Sequence, residues 1–117
     1  NEDVAHVPFD GWEEIEVETL DTMRINCGQN TGSEAARVDF IKIDAEGLEL
    51  EVVEGGLRLI REHQPVIYAE SQPYFQSGDD TFLRRMSDYG YTCMPIKELE
   101  MHEIILCLPR SRLDELR

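Results

Sequence analysis

Two short apolar runs, VDFIKI at residues 38–43 and VIYA at residues 66–69, bracket one helical stripe, and this arrangement limits the fold more than any other feature. Val38 to Ile43 is β-branched and largely apolar, the composition of a strand buried on both faces. Asp44 closes it. From Gly47 to His63, the residues Leu50, Val53, Leu57 and Ile60 recur at spacings of three and four, which predicts one helix. Glu46, Glu49 and Glu51 lie near its start, and Arg58, Arg61 and His63 near its end, so both sets complement the helix dipole. Pro65 cannot continue a helix and opens the second strand. A strand, a helix and a strand in this order imply a right-handed crossover and parallel pairing.

The pattern continues toward the C-terminus. Pro73 to Gly78 reads as a loop, and Asp79 or Asp80 can cap a helix whose apolar side is Phe82, Leu83, Met86 and Tyr89. Gly90 is a natural left-handed terminator. Tyr91 to Ile96 predicts a third strand, Lys97 to His102 a turn, and Glu103 to Leu108 a fourth strand. That connection is too short for a crossover helix, so the last two strands should be antiparallel. Ser111 to Arg117 reads as a short terminal helix. Upstream, Trp12 to Leu20 alternates Ile15, Val17 and Thr19 against Glu14, Glu16 and Glu18, the period of a half-exposed strand. Asn26 to Ser33 (NCGQNTGS) reads as a loop. The reading is an α/β three-layer piece, divided into an N-terminal strand and loop (1–37), a sheet domain (38–108) and a tail (109–117).

Composition excludes some partners. With 25 acidic and 11 basic side chains the formal charge is −14, which repels phosphate backbones and anionic lipid, so neither nucleic acid nor membrane is expected. The three cysteines, Cys27, Cys93 and Cys107, are odd in number and lack CxxC spacing. That argues against a disulfide framework and a zinc site, and predicts a reduced, cytoplasmic protein. His6, His63 and His102 show no metal spacing, so no metal is expected.

The segment Val38 to Glu70, with IKIDAEG, a glycine-containing helix and PVIYAE, resembles the FkbM-type methyltransferase family. The preceding VETLDTM resembles that family's leucine-aspartate step, and the likeness spans about residues 17–108. The resemblance implies a Rossmann-like class I methyltransferase fold of seven strands with an antiparallel seventh, whose strands four to seven correspond to the four read here. It also implies S-adenosylmethionine as cofactor and methyl transfer to an oxygen of a small or carbohydrate-like acceptor. Family members carry a glycine-rich turn after strand one and an acid ending strand two, which cradle the cofactor and its ribose. This chain has no GxGxG. Its nearest candidate, Gly28 to Gly32 (GQNTG), neither follows a convincing strand nor opens a convincing helix. The expectation is a partial domain with its N-terminal half-sheet missing, and no cofactor-binding residue is assigned.

Three carboxylates are the candidate catalytic residues. Asp44 ends a central parallel strand, where open α/β sheets place their ligand crevice, and it can orient or deprotonate an acceptor hydroxyl or cap the following helix. Glu46 is a second polar group for the site or a favourably placed helix-start acid. Glu70 ends the neighbouring strand at the same rim, where two carboxylates can yield a general base, or it is simply solvated. Lys42 must pair with Asp44 or reach solvent. Gln72 and Tyr74 are candidates to shape an acceptor pocket. Gly55 and Gly56 are expected to allow close packing on the sheet. Two functions follow: an S-adenosylmethionine-dependent O-methyltransferase, or a catalytically inactive truncated domain that acts by association. The latter predicts a homo-oligomer, or residues Glu14 to Leu20 folded over an open sheet edge.

Overall fold

The computed structural model describes residues 11–31, 36–96 and 103–116. Its strands are β1 (Phe40–Ile43), β2 (Val66–Glu70), β3 (Tyr91–Ile96) and β4 (Ile104–Pro109), in spatial order β1-β2-β4-β3. β1 and β2 are parallel, with Ile41 opposite Ile67 and Ile43 opposite Ala69. β4 is antiparallel to both β2 and β3. The four expected strands are therefore present, and the last runs against its neighbours. The Lys97 to His102 turn lies outside the described residues.

Side chains alternate across a strand, so one face of the sheet presents Ile43, Ile67, Ala69, Tyr91, Ile105 and Cys107, all buried in the core. Val53, Ile60, Phe82 and Met86 from the crossover helices close over that face. Each such side chain contributes roughly 1.5–3 kcal/mol by leaving water. The other face carries Phe40, Lys42, Tyr68 and Met94, with Phe40 55% and Met94 41% exposed. On that same face Lys42 is exposed, whereas Ile104 of β4 is buried.

The crossover from β1 to β2 is two helices, α2 (Glu49–Glu54) and α3 (Leu57–His63), instead of one. The break falls at Gly55 and Gly56. A Cβ on Gly56 would lie 3.0 Å from Leu20 Cδ1 and 3.1 Å from Leu20 Cβ, and one on Gly55 would lie 3.2 Å from Thr19 Cβ. The glycines thus admit the start of an N-terminal helix, α1 (Leu20–Thr31), and not the sheet face expected for them. Asp21 exploits that approach. Its backbone N–H donates to the Gly55 carbonyl at 3.1 Å. Its carboxylate accepts the N–H groups of Arg58 (3.0 Å) and Leu59 (2.9 Å), capping α3 from 37 residues upstream. Thr19 caps α1 itself, accepting the Thr22 N–H at 3.1 Å.

This N-terminal arrangement corrects two expectations. Residues 11–19 form no strand and cover no sheet edge; Trp12 is 94%, Ile15 75% and Val17 85% exposed. The loop read at Asn26 to Ser33 is helical through Thr31, and its last residues lie outside those described. A third correction concerns Pro73 to Gly78. Gln72–Ser77 is a short helix, α4, with proline in its first turn, where a missing N–H costs nothing, and Gly78 closes it at φ 72°.

Downstream, α5 (Thr81–Asp88) returns the chain to β3 through Gly90 at φ 91°. Tyr91 is buried and its hydroxyl donates to the Pro65 carbonyl at 2.6 Å, which ties β3 to the start of β2. Burial pushes its phenol above the ordinary range, against a smaller opposing influence of Arg112. Arg110 to Arg112 form a 3-10 turn and Leu113–Leu116 a last helix, α6. Arg112 donates to the Gln64 carbonyl at 2.9 Å.

Cys93 and Cys107 are register partners on β3 and β4 and form a disulfide, with Cα atoms 4.0 Å apart. The expectation of reduced cysteines without a disulfide is overturned, because cross-strand register, not sequence spacing, brings these two together. The cytoplasmic expectation loses the support it drew from the cysteine count. Among the described residues no helix is long and apolar enough to cross a membrane.

Candidate functional site

Asp44 directly follows β1, whose last residue, Ile43, lies opposite Ala69; Glu70 is the next residue of β2. Because β1 and β2 are parallel, Asp44 and Glu70 leave the same, carboxyl end of the sheet. This is the rim where open α/β sheets hold ligands. The segment after Asp44 is an unusual turn. Glu46 sits at φ 50° and Gly47 at φ 101°, two successive left-handed residues. A non-glycine residue there costs about 1–2 kcal/mol, and such strain concentrates at functional loops. Gly47 has open space around it, so its glycine is required by backbone conformation and not by crowding.

Glu49 holds this turn. Only 3% exposed, it accepts the N–H of Ala45 at 3.1 Å and that of Gly47 at 3.0 Å, both on Oε2. The Leu48 N–H donates to the Ala45 carbonyl at 3.2 Å and completes the loop. Asp44 and Glu46 are exposed, and their side chains make no hydrogen bond or ion pair among the described residues. Their lone pairs face solvent at the rim. Glu70 is half-buried, opposite Ile104 of β4, and is engaged with other groups. The structure thus brings Asp44, Glu46 and Glu70 to one end of the sheet.

Other expected residues fall elsewhere. Lys42 is exposed on the open sheet face and forms no ion pair with Asp44; it reaches solvent instead. Tyr74 packs on the core and meets Phe75 edge-on with ring centroids 5.2 Å apart, so it serves the core rather than a pocket wall. The Gln72 side chain lies outside what is described.

Beside the rim, between the first turns of α2, α4 and α5, is a cavity of about 180 Å³ lined by Gly47, Glu49, Ser71, Asp79, Thr81 and Phe82 among others. Sequence reasoning missed Glu49 and Ser71. The signal for Glu49 was present, since it lies four residues before Val53 and therefore on the buried side of the stripe. Asp79 Oδ1 accepts both the Thr81 hydroxyl (2.6 Å) and the Thr81 N–H (3.0 Å). The hydroxyl first, then the N–H, hold its carboxyl below the usual carboxylate value. Asp80 precedes α5 but gives no side-chain cap; it pairs with Arg84 at 2.9 Å.

A larger hollow, about 700 Å³, lies at the opposite, amino end of β1 and β2 and includes Arg24, Arg37, Arg58, His63 and Arg112. Its arginines are engaged: Arg37 with Asp39 (2.7 Å), Arg58 with Glu62 (3.7 Å), Arg112 with Glu115 (3.2 Å) and Arg24 with the Ala36 carbonyl (2.6 Å). It sits away from the rim and holds no candidate residue.

A fit for S-adenosylmethionine needs a glycine turn between a parallel strand and a helix. Gly28 lies inside α1, which follows no strand among the described residues, and Gly32 lies outside them. The described residues do not fit the cofactor's cradle. The sequence model of the Methyltransferase FkbM domain matches residues 9–93 of this 117-residue chain. No curated protein and no solved structure matches it.

Proposed function

The chain belongs to the FkbM methyltransferase domain family, and from that premise we propose that it forms the acceptor-facing rim of an S-adenosylmethionine-dependent O-methyltransferase. The supporting observation is the turn at residues 44–47. There Asp44 and Glu46 stand at the carboxyl end of parallel strands, on a strained backbone that buried Glu49 holds in place. A carboxylate on a pinned turn can accept the proton of an acceptor hydroxyl while keeping that oxygen oriented, and Glu70 on the next strand adds a second carboxylate to the same end. Removing that proton raises the nucleophilicity of the oxygen. The mixed sheet with an antiparallel last strand is compatible with the C-terminal part of a Rossmann-like methyltransferase fold. The cofactor is held by residues outside those described, and a small or carbohydrate-like acceptor is the substrate class in view.

Calorimetric titration of the chain with S-adenosylmethionine tests the placement of the cofactor. No saturable heat is expected, and micromolar binding by this chain would overturn it. The role of the rim is tested by Asp44→Asn in a methyl-transfer-competent form, where turnover should fall by about 100-fold or more. Unchanged turnover in Asp44→Asn, Glu46→Gln and Glu70→Gln alike would remove the carboxylates from the chemistry.

One observation favours a second reading, association without catalysis. The outer edge of β1 pairs with no strand among the described residues, and Phe40 on it is 55% exposed. Concentration-dependent self-association in sedimentation velocity, abolished by Phe40→Lys, supports that reading; a monomer at all concentrations removes it.

A further inference from the structure

The cavity beside the rim contains two polar atoms that find no partner among the described residues. Ser71 is 3% exposed, and its hydroxyl makes no hydrogen bond among the described residues, although its own N–H donates to the Glu103 carbonyl at 2.9 Å. Glu49 is equally buried and spends only Oε2 on the turn, so Oε1 has no partner among the described residues. Buried polar groups are nearly always satisfied, and an orphan carries a desolvation penalty that ligand binding relieves. Both residues line one cavity of about 180 Å³, roughly the volume of six waters.

We propose that this cavity is a subsite for a hydrogen-bond-donating group without negative charge, a hydroxyl cluster or an ammonium, with Ser71 and Glu49 determining that specificity. Its polar lining is rich in acceptors: Glu49, Glu51, Asp79, and the hydroxyls of Ser71 and Thr81, with no lysine, arginine or histidine. A carboxylate or phosphate entering it would meet only like charge. A donor group finds Glu49 Oε1 and Ser71 Oγ, while Phe82, itself 7% exposed, supplies an apolar wall for a carbon skeleton. The lining does not read as a metal site, because among the described residues no three histidine, cysteine or acidic side chains converge on one point. The volume admits one ring or a short amino alcohol, not a chain of sugars. This subsite rests on reading the rim as acceptor-facing, since it adjoins Gly47 and would seat the part of the acceptor next to the reacting hydroxyl.

The experiment is binding by the 117-residue chain, read from backbone amide shifts in NMR titrations with glucose, glucosamine and glucuronate. Glucose and glucosamine should shift Gly47, Ser71 and Thr81 saturably, and glucuronate should not. Response to both identifies hydroxyls as the recognised group, and response to glucosamine alone identifies the ammonium. Ser71→Ala should weaken the response at least about threefold, the loss of one neutral hydrogen bond. Its melting temperature should stay level or rise, because the orphaned buried hydroxyl is gone. A fall in melting temperature would mark Ser71 as structural and overturn the proposal, as would equal binding of glucuronate or no response to any sugar. Because the readout is independent of methyl transfer, the subsite can fail while the enzymatic reading stands, and the reverse.

Discussion

The Glu49 carboxylate accepts the N–H of Gly47 at 3.0 Å from a position only 3% exposed, so the rim turn is fixed by the helix that follows it. Glu49→Ala removes the shared acceptor of two amides and releases a strained backbone. Stability should fall by about 2 kcal/mol, as expected for polar groups left unpaired, and Glu49→Gln, which keeps a carbonyl acceptor, should fall by less. Urea denaturation measures both, and hydrogen exchange at Ala45 and Gly47 should quicken in the alanine variant. Unchanged exchange at those amides would mean the turn holds itself.

Leu20 and Gly56 form a second coupled pair. Gly56 lies between the two helices at φ −120°, a conformation alanine can adopt, and alanine at such a site ordinarily stabilises by about 0.4–1 kcal/mol. Here the added Cβ would lie 3.1 Å from Leu20 Cβ, an atom that cannot swing away. Crowding of this kind costs ~1–3 kcal/mol, so Gly56→Ala should destabilise the chain. In a Leu20→Gly background, which removes that Cβ, the same change should be neutral or favourable. A thermal-melt double-mutant cycle without that reversal would show that the glycine serves another purpose. Asp21→Ala, which uncaps α3, should cost about 1 kcal/mol on the same scale.

The Cys93–Cys107 bridge closes a loop of sequence separation 14, for which the expected stabilisation is about 3 kcal/mol. Thiol titration of the unfolded, unreduced chain should return a single thiol, that of Cys27, and all three after reduction. A Cys93→Ser, Cys107→Ser pair should melt well below the parent. Three thiols before reduction would show that the strands pair without the bridge.

Asp79 provides a pH test with a defined sign. The Thr81 hydroxyl and N–H lower its pKa in the folded chain below the ordinary 3.8. Its contribution to stability is therefore complete above the unfolded value and is lost as pH falls below 3.8 through the folded one. Carboxyl-detected NMR should place the Asp79 midpoint below 3.8 and move it upward in Thr81→Ala. A midpoint unaffected by that substitution would separate the two residues.

Much of the fold was legible because local chemistry and global arrangement agree. The runs at 38–43 and 66–69, the stripe between them, and the terminators Pro65 and Gly90 each act on their own neighbours in sequence. So the four strands, their order along the chain and the shared rim of Asp44 and Glu70 could be read without coordinates. The period-two pattern at Ile15, Val17 and Thr19 misled because a strand exists only when another strand accepts its hydrogen bonds, and none does so among the described residues.

What only tertiary structure decided involves partners distant along the chain. The cysteines became a bridge through cross-strand register, and the paired glycines served Leu20 and Asp21, not the sheet. The orphaned Ser71 hydroxyl and the buried Glu49 are likewise invisible to composition, since burial and hydrogen-bond satisfaction belong to the surroundings of an atom. Sequence by itself determined where the sheet turns over and which acids reach its rim. Packing determined which of those groups are held, which are spent, and which remain open to a ligand, because each outcome depends on side chains that meet only after the chain has closed on itself.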